Sequence, residues 1–375
     1  MRVLVVSGGR PTPNNPLNGN FEFDQAEALA NEGLEVTFFS IDLRSIRRRR
    51  RLGITQGVSG KVKWYEISLP LGVVPVKLFC LIGARALIHL YHRVFDKANH
   101  PDIIHAHFVR TGCMAAALSK RVSVPLIITE HSSDMNQPVV QPSLIDCAKK
   151  GYHQAKKVIA VGAGLSRRLR EHTGVESVVI PNMIHMDVFA GSSKKPHNGF
   201  RLVTTSALIP LKRTENLIDA IGVVRESYDD VHLDIIGDGP LKEQLRKKVS
   251  DAGLDGVVEF HGYKKDFQIA EIYGMSDCFV LVSSTETFGV VFIEAMAAGL
   301  PVIATRCGGP EDFVTRANGI LVDVDNTDQL VAAIIEMRNN QEVYDTNSIR
   351  EYVLNKYSPS AIAHSLIRVY DAILA

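Results

Sequence analysis

Short apolar runs, rich in Val and Ile, recur along the whole chain and alternate with segments in which apolar positions follow a helical period. Such runs are typical of parallel strands that are covered on both faces. The pattern predicts strands at Val3–Val6, Glu35–Ser40, Lys63–Ser68, Ile103–His107, Leu126–Glu130, Val158–Val161, Ser177–Ile180, Arg201–Thr205, His232–Ile236, Val257–His261, Cys278–Val282, Val302–Ala304 and Ile320–Val322. It predicts helices at Glu22–Glu32, Lys77–Phe95, Gly112–Lys120, Leu165–Glu171, Thr214–Arg225, Leu241–Ala252, Gln268–Tyr273, Gly289–Ala298 and Asp328–Asn339. The predicted fold class is therefore α/β, with doubly wound sheets.

A polar stretch rich in Gly, Ser and Pro interrupts this alternation at residues 191–199. Stretches of this composition are typical of linkers between domains. We therefore predict a Rossmann-like domain over residues 1–190 and a second one over residues 200–357, with a helix at 358–375 that packs back on the first domain. Ligands of open α/β sheets bind beyond the carboxyl ends of the strands, so we expect the site in the cleft across which the two domains face each other.

The net charge of +1 conceals a strong asymmetry between the two halves. Residues 1–198 contain 26 Lys and Arg against 15 Asp and Glu, whereas residues 199–375 contain 16 against 26. Much of the positive excess lies at Arg44 and Arg47–Arg51, before the apolar segment Leu69–Leu90. Basic residues beside amphipathic apolar surface are typical of a protein that docks on an anionic membrane, although a solvated arginine loop has the same composition. No interleaved aromatic residues accompany the basic run, so nucleic acid is not an expected partner.

The composition is that of an ordinary globular protein, with 46% hydrophobic and 22% charged residues. The cysteines show no paired spacing, which argues against a disulfide framework or a zinc cluster and fits a reducing cytosol. Arg2 leads directly into the first strand, so we predict no N-terminal signal. Charges and prolines interrupt Leu69–Leu90 too often for a transmembrane helix. These features predict a cytoplasmic protein that is at most peripheral on the inner face of the cell membrane.

Two carboxylates, Glu286 and Glu294, stand at the ends of an apolar stretch that leads into the predicted helix Gly289–Ala298. Because burying an unpaired carboxylate is costly, both are expected to bind hydroxyl groups or cations. The backbone N–H groups of residues 288–290 lie at the predicted helix N-terminus, where the helix dipole favours a phosphate. The segment thus offers two hydroxyl acceptors and a phosphate site. A solvent-facing Glu, together with a Glu that complements the dipole, would also fit this pattern.

Glycine-rich turns follow three predicted strands of the second half. They are Gly237-Asp238-Gly239-Pro240, Phe260-His261-Gly262-Tyr263 and Arg306-Cys307-Gly308-Gly309-Pro310-Glu311. Each of them alone is also compatible with an ordinary turn between a strand and a helix. The first resembles the start of a dinucleotide fingerprint but lacks its third glycine, which argues against a Rossmann oxidoreductase.

The order and spacing of these features resemble the retaining GT-B glycosyltransferases of family GT4, the glycosyl transferases group 1. The resemblance rests on the Glu-x7-Glu pair, on the run Ala-Met-Ala-Ala-Gly-Leu-Pro-Val-Ile-Ala that follows, and on the Gly-Gly pair after it. Ile236–Leu241 and Val179–Asn182, with Asp187 and Phe189 behind them, are similarly placed. The resemblance extends through most of the chain and implies the GT-B fold, in which two Rossmann-like doubly wound domains face each other across a cleft.

By this resemblance, His131 faces the transferred sugar, Lys212 stabilises the leaving diphosphate and Glu286 contacts the sugar hydroxyls, so these three residues have catalytic roles. Glu294 binds the ribose, and the Gly19 amide approaches the diphosphate. The donor-binding residues that the resemblance implies are Gly19, Gly237, Gly262, Tyr263, Phe288, Gly289, Val290 and Glu294. A cation at Lys212 also has a physical reason, because glycosyl transfer leaves negative charge on the β-phosphate.

The implied reaction is that of a hexosyltransferase-type enzyme, which moves a sugar from a nucleotide-diphosphate sugar with retained anomeric configuration. The basic first half favours a saccharide or lipid-linked saccharide acceptor in cell-surface polysaccharide synthesis. The nucleotide sugar is a co-substrate, and no cofactor or divalent metal is expected. His105 and His107 could join His131 around zinc, but no fourth ligand is evident. A GT-B epimerase or phosphorylase and a non-catalytic sugar-binding protein remain alternatives.

Two positions depart from the family pattern. Ala207 stands where family members usually carry an arginine before the lysine, so one expected phosphate cation is missing, and Arg213 or another basic residue could substitute for it. Asn182-Met183 replaces the usual Asn-Gly pair, which puts the expected turn in doubt because methionine tolerates positive φ poorly.

Overall fold

Two β-sheets covered by helices organise the chain, and each belongs to a separate unit. The computed structural model describes all residues except 14, 16, 17, 46, 48, 49, 97, 185, 192 and 193. The first unit consists of Met1–Met183 with Pro359–Ala375, and the second consists of Ile184–Ser358. The stretch predicted as a linker lies in the second unit. There the Lys195 N–H donates to the Gly274 carbonyl oxygen over 2.8 Å.

Strands and helices alternate through both units. The strands are β1 (Arg2–Ser7), β2 (Glu35–Asp42), β3 (Gly53–Ser59), β4 (Val62–Ser68), β5 (Ile103–His107), β6 (Leu126–Glu130), β7 (Lys157–Ala160), β8 (Val178–Val179), β9 (Phe200–Thr205), β10 (Val231–Ile236), β11 (Val258–Gly262), β12 (Cys278–Leu281), β13 (Val302–Thr305) and β14 (Gly319–Val322). The α-helices are α1 (Asn20–Asn31), α2 (Val76–Val94), α3 (Val109–Val122), α4 (Pro142–Gln154), α5 (Ala163–Thr173), α6 (Met186–Ala190), α7 (Thr214–Arg225), α8 (Lys242–Asp251), α9 (Asp266–Tyr273), α10 (Val290–Ala297), α11 (Thr327–Asn339), α12 (Thr346–Tyr357) and α13 (Pro359–Leu374). Short 3₁₀ helices lie at Pro210–Lys212, Pro310–Asp312 and Gln341–Val343.

The sheet of the first unit has the strand order β3-β4-β2-β1-β5-β6-β7-β8. Its neighbouring strands are parallel except β3 and β4, which form an antiparallel hairpin with Gly53 opposite Ser68. The apolar pattern does not predict β3. The reason is that this strand lies at the sheet edge, where its residues are exposed or half-buried and form no continuous apolar run.

The sheet of the second unit has the order β11-β10-β9-β12-β13-β14, and all of its strands are parallel. The prediction of doubly wound α/β sheets is therefore confirmed. Winding along the chain moves outward from β9 to β11, and then resumes on the other side of β9 with β12. The loops after β9 and β12 consequently meet at the point where the strand order reverses, which is where open α/β sheets bind ligands.

The last helix, α13, belongs to the first unit although it follows the whole second unit in sequence. Ile362, Leu366 and Tyr370 are fully buried in the core that covers β1 and α1. His364 Nε2 also lies 3.0 Å from Glu32 Oε2 at the end of α1. The chain therefore passes between the two units twice, near residues 183–184 and near residues 358–359.

Three helices of the first unit, α2, α3 and α4, pack together on one face of its sheet. They carry Cys80, Cys113 and Cys147, whose sulfur atoms all lie within 4.8 Å of one another. The spacing of the cysteines argued against a disulfide framework or a zinc cluster, and all three of these cysteines are free. Spacing along the chain gives no sign of the cluster because each cysteine comes from a different helix.

The arginine run does not form a uniformly solvated patch. Arg50 Nε lies 2.7 Å from Asp42 Oδ2, and the Arg50 guanidinium also donates to the Leu69 carbonyl oxygen. Arg47 and Arg51 are exposed, whereas residues 48 and 49 lie outside the described part of the chain. The proposed membrane surface over Arg47–Arg51 therefore has to exclude Arg50. Among the described helices, none is long and apolar enough to cross a bilayer.

Candidate active site

Lys212 and Glu286 meet at the carboxyl edge of the second sheet. Lys212 ends the short helix after β9, and Glu286 lies in the loop after β12. Lys212 Nζ donates to Glu286 Oε1 over 2.6 Å, and Ser283 Oγ donates to the same oxygen over 2.8 Å. Their side chains are 22% and 11% exposed, respectively. The two predicted catalytic residues are therefore held together, with a cation and a carboxylate at one point of the surface.

Backbone hydrogen bonds hold the loops around this pair. The Ser284 N–H donates to the Leu211 carbonyl oxygen over 2.8 Å, which ties the loop after β12 to the loop after β9. The Glu286 N–H donates to the Cys307 carbonyl oxygen over 3.2 Å. Thr305 Oγ1 donates to the Ser283 carbonyl oxygen over 2.6 Å, which ties the same loop to the end of β13. The position of Glu286 is thus set by three neighbouring strands.

Glycines allow these loops to approach one another. Gly237 has a φ of 138°, and a Cβ there would overlap the carbonyl oxygen of Ser206 in the loop after β9. A Cβ at Gly309 would overlap the carbonyl oxygen of Phe288 in the loop after β12. The close backbone contacts at both positions explain the glycines that the sequence shows there.

Gly262 ends β11 and Tyr263 follows it, beside the Gly237 turn. The Gly237 N–H donates to the Gly262 carbonyl oxygen over 2.9 Å, and Gly262 has a φ of 67°. Tyr263 is 65% exposed. Gly237 and Gly262 are therefore in contact, and the Tyr263 side chain is open to solvent.

The helix α10 begins beside Glu286 and carries Glu294. Gly289 is its N-cap, with a φ of 97°, and no side chain caps the helix start. Phe288 is buried against Phe313, so this residue can offer a ligand only its backbone. Val290 starts the helix, and both Val290 and Glu294 are half-buried. Residues 288–290 and Glu294 thus lie on one element next to the Lys212–Glu286 pair.

The structure shows the surroundings of the two positions at which the chain departs from the family pattern. Ala207 is exposed in the loop between β9 and Lys212. Arg213, the suggested replacement cation, lies with its Nε 3.0 Å from Asp325 Oδ1 and is therefore engaged in an ion pair. Met183 is buried in the core of the first unit and is not among the described non-glycine residues with positive φ.

In the first unit, Gly19 is the N-cap of α1 and has a φ of 71°. A Cβ at Gly19 would overlap the carbonyl oxygen of Gly9, so the turn after β1 packs directly on the start of this helix. Behind the turn, Ser7 Oγ donates to Glu22 Oε1 over 2.8 Å, and burial raises the pKa of Glu22. Glu22 is a residue that sequence reasoning missed, although its place between two phenylalanines was a signal.

His131 is part of a chain of hydrogen bonds at the end of β6. Its Nδ1 lies 2.9 Å from Asn182 Oδ1, and its Nε2 lies 3.0 Å from His107 Nδ1. With Asn182 Oδ1 as the acceptor, Nδ1 of neutral His131 carries the proton, and Nε2 accepts from His107. Burial lowers the pKa of His131 to about 4. His131 is therefore a neutral imidazole near pH 7, and both of its ring nitrogens have protein partners.

His105, His107 and His131, the possible zinc ligands of the sequence analysis, do not form a ligand set. His105 bonds to the Tyr370 hydroxyl through Nδ1 at 2.6 Å and to Thr129 Oγ1 through Nε2 at 2.7 Å. Burial lowers the pKa of His105 to about 3. The clusters of potential metal ligands found among the described residues include none of the three histidines.

Glu130, which the sequence analysis assigned no role, positions His131. Its Oε1 accepts hydrogen bonds from the backbone N–H groups of His131 at 3.0 Å and Ser132 at 2.7 Å. The Tyr152 hydroxyl donates to its Oε2 over 2.6 Å. Burial raises the pKa of Glu130 to about 7. The sequence contained one signal for this role, because Glu130 is a charged residue at the end of a strand predicted to be buried.

Comparison with known proteins identifies the family. The sequence profile described as "Glycosyl transferases group 1" matches residues 187–353, and the profile described as "Glycosyltransferase Family 4" matches residues 21–188. The chain is 30% identical over 254 residues to the uncharacterized glycosyltransferase MJ1178 of Methanocaldococcus jannaschii, covering 65% of this chain and 68% of that protein. It is 26% identical over 367 residues to the putative teichuronic acid biosynthesis glycosyltransferase TuaC of Bacillus subtilis, covering 91% and 90%.

The fold comparison agrees with the family match. The structure of HepE from Anabaena in complex with UDP is similar, with a TM-score of 0.74, 19% identity and coverage of 99% of this chain and 100% of HepE. The likeness to GT-B glycosyltransferases confirms the predicted fold. The chain therefore belongs to the group 1 glycosyltransferases of family 4, and it is a glycosyltransferase with the GT-B fold.

Proposed function

We propose that the protein transfers a hexosyl group from a nucleotide-diphosphate sugar, with retained anomeric configuration, to a saccharide or lipid-linked saccharide in cell-surface polysaccharide synthesis. The observation that carries this proposal is the Lys212–Glu286 pair at the strand-order reversal of the second sheet, beside the uncapped start of α10. A lysine, a carboxylate and the N–H groups of a helix N-terminus match the phosphates and hydroxyls of such a donor. HepE has been solved in complex with UDP-glucose, which supports the donor class.

In this proposal, each donor-site residue of the second unit contacts a particular part of the donor. Glu286 accepts hydrogen bonds from hydroxyls of the transferred sugar, and Lys212 stabilises the charge that develops on the β-phosphate. The backbone of Phe288, Gly289 and Val290 binds the diphosphate through the N-terminus of α10. One turn further into the helix, Glu294 binds the ribose hydroxyls. The 2.6 Å contact between Lys212 and Glu286 supports these roles, because it brings the proposed phosphate cation and the proposed hydroxyl acceptor together.

The turns and the first unit complete the set of proposed contacts. Gly237 and Gly262 give the nucleotide base a close approach to backbone, with Tyr263 beside them. Gly19 approaches the diphosphate through its amide, and His131 faces the transferred sugar. Because both ring nitrogens of His131 have protein partners, we assign it a binding role rather than proton transfer.

Retention follows in this proposal from attack on the same face as the leaving group. The acceptor oxygen forms its bond to the anomeric carbon while the bond from that carbon to the β-phosphate oxygen breaks. The acceptor proton passes to the leaving phosphate, so no side chain is needed as a base. Neither Glu286 nor Glu294 serves as a covalent nucleophile. A glycosyl-enzyme adduct trapped in mass spectrometry would contradict this mechanism.

The acceptor and the location are proposed from the first unit. Exposed Arg47 and Arg51 precede the helix α2, on which Leu78 and Leu81 are 44% and 49% exposed. Exposed cations that precede exposed apolar side chains along the chain favour peripheral binding to an anionic membrane at its cytoplasmic face. The similarity to TuaC, described as a teichuronic acid biosynthesis glycosyltransferase, supports a cell-surface polysaccharide as the product.

A binding panel tests the donor site. Titration of UDP-, GDP- and ADP-sugars by calorimetry should identify one preferred nucleotide. Replacing Glu294 by alanine should weaken its binding about 10- to 100-fold, because hydrogen bonds to a charged group contribute about 1.5–3 kcal/mol. Glu342→Ala, at an exposed site in the short helix Gln341–Val343, is the matched control and should bind like the parent. Equal nucleotide binding by Glu294→Ala and the parent would show that the ribose assignment is wrong.

A further inference from the structure

Three cysteines of the first unit form a compact cluster. Cys80 comes from α2, Cys113 from α3 and Cys147 from α4, and all three sulfur atoms lie within 4.8 Å of one another. The sulfurs of Cys80 and Cys147 are 3.1 Å apart. All three are free thiols, of which Cys80 and Cys147 are buried and Cys113 is half-buried. Free thiols gathered in this way from three helices can act as one ligand set.

Small residues bring the three helices together. A Cβ on Gly151, one turn after Cys147 in α4, would lie 3.2 Å from the backbone nitrogen of Cys113. Gly83, about one turn after Cys80 in α2, faces Met114 so closely that a Cβ would overlap its sulfur. Because both contacts flank the cysteines, the close packing of the helices fixes the separation of the thiols.

The sulfur separations suit a thiophilic metal ion. Zinc binds thiolates at about 2.3 Å in a tetrahedral arrangement, which places ligand sulfurs about 3.8 Å apart. The Cys80–Cys147 separation is 3.1 Å, and the two separations from Cys113 are at most 4.8 Å. Small rotations of the cysteine side chains therefore suffice to surround one ion, and no movement of the helices is needed.

A cavity of about 550 Å³ adjoins the cluster and is lined by all three cysteines. Ala84, Ala116 and Ala117 contribute small side chains to the same wall and leave the space open. With three protein ligands, a zinc ion keeps one tetrahedral position for a water molecule or an added ligand. The cavity provides room for that fourth ligand.

The charges around the cluster suit three thiolates bound to one divalent ion. Three thiolates around a divalent ion leave one net negative charge, and Lys120 and Lys150 both line the cavity. Lys77, on the same wall, is paired with Asp146 at 3.1 Å. Lysine side chains are thus placed to balance the charge of the site.

We propose that Cys80, Cys113 and Cys147 bind one Zn²⁺ ion as three thiolates and leave its fourth coordination position open to the adjoining cavity. The site is separate from the donor site of the second unit and does not depend on the proposed function. It also has a structural connection to the first unit's predicted site. Cys147 Sγ lies 3.8 Å from the Val109 carbonyl oxygen at the start of α3, next to Phe108, whose ring packs on His131.

The test uses the full-length protein, kept reduced with a phosphine and freed of metal by a chelator. Titration with Zn²⁺ against a chromophoric competitor should show one tight site per chain. Cd²⁺, used as a spectroscopic substitute, should give the ultraviolet thiolate-to-metal charge-transfer band. Zinc should also protect Cys80, Cys113 and Cys147 from alkylation, as read by mass spectrometry of the peptides.

Two variants decide the outcome. Cys113→Ser should lose the zinc site and the cadmium band, whereas Cys307→Ser, also half-buried but in the second unit, should keep both. Because binding displaces protons from thiols, affinity in the parent should rise with pH. Zinc binding unchanged in Cys113→Ser overturns the proposal. So does a reduced parent protein in which zinc protects none of the three thiols. If Cys113→Ser does not fold, protection in the parent still decides the question.

Discussion

Replacing Glu130 by glutamine is expected to remove a pH-dependent part of the stability of the first unit. The carboxyl group is buried, accepts two backbone hydrogen bonds and is bonded to the Tyr152 hydroxyl. Burial raises its pKa from 4.5 to about 7. Glutamine has the same size, can accept both backbone bonds through its oxygen, and can donate its amide to the tyrosine oxygen. The variant therefore removes the titration while keeping the contacts.

The direction follows from the raised pKa. The contribution of Glu130 to stability is fully present below its unfolded pKa of 4.5 and is lost as pH rises through its folded pKa of about 7. This shift corresponds to roughly 3 kcal/mol, at about 1.4 kcal/mol per pKa unit. Buried His105, His107 and His131 act in the opposite direction, because their lowered pKa values remove stability as pH falls below 6.5. Only the difference between variant and parent isolates Glu130.

The measurement is urea unfolding followed by fluorescence of Trp64, the single tryptophan, which lies in the first unit. The free energy of unfolding of Glu130→Gln minus that of the parent should increase by roughly 3 kcal/mol from about pH 5 to about pH 9. The same difference for Glu35→Gln, at an exposed position of β2, should stay flat. A flat difference for Glu130→Gln, or one that increases toward low pH, would refute the reasoning.

Three further predictions concern the donor site and the arginine run. Lys212→Ala should lower kcat/KM about 10²- to 10³-fold, because a fixed donor to the leaving phosphate is removed; undiminished turnover would exclude that role. Gly237→Ala should lower the melting temperature of the second unit and weaken nucleotide binding, because a Cβ overlaps a backbone carbonyl at a φ of 138°; an unchanged melting curve would contradict the described turn. Arg50→Gln should destabilise the first unit in urea by breaking the ion pair with Asp42, whereas Arg47→Gln should leave stability unchanged and weaken sedimentation with anionic vesicles. The opposite pattern for the two arginines would show that their assignments are wrong.

The sequence predicted the fold best where strands are fully buried, because such strands consist mainly of apolar residues. The strands β5 and β6 have the predicted limits because they are buried on both faces and contain Ile-rich runs, although His105 and His107 interrupt β5. The edge strand β3 was missed because its outer side has no partner to bury it. The helix α4 was missed although its buried residues follow a helical period, because small residues such as Ala148 and Gly151 make up much of that face and give a weak apolar signal.

The candidate site was predictable where the connectivity of the sheet forces residues together. Lys212 and Glu286 follow strands that are neighbours at the strand-order reversal, so their contact follows from topology alone. Contacts between helices have no such rule, and the cysteine cluster could not be foreseen. Of the two partners of His131, His107 was foreseeable because it ends β5, which pairs with β6. Asn182 was not, because it comes from a separate segment after β8.

The return of α13 to the first unit limits how this enzyme can be recombined with its relatives. Because the first unit is discontinuous in sequence, exchanging the second unit requires two junctions, near residues 183–184 and 358–359. A chimera with a single junction would pair the α1 side of one protein with the terminal helix of another. Ile362 and Leu366 would then meet a core they did not evolve with. The last seventeen residues must therefore travel with the first unit, whichever donor specificity is inserted between them.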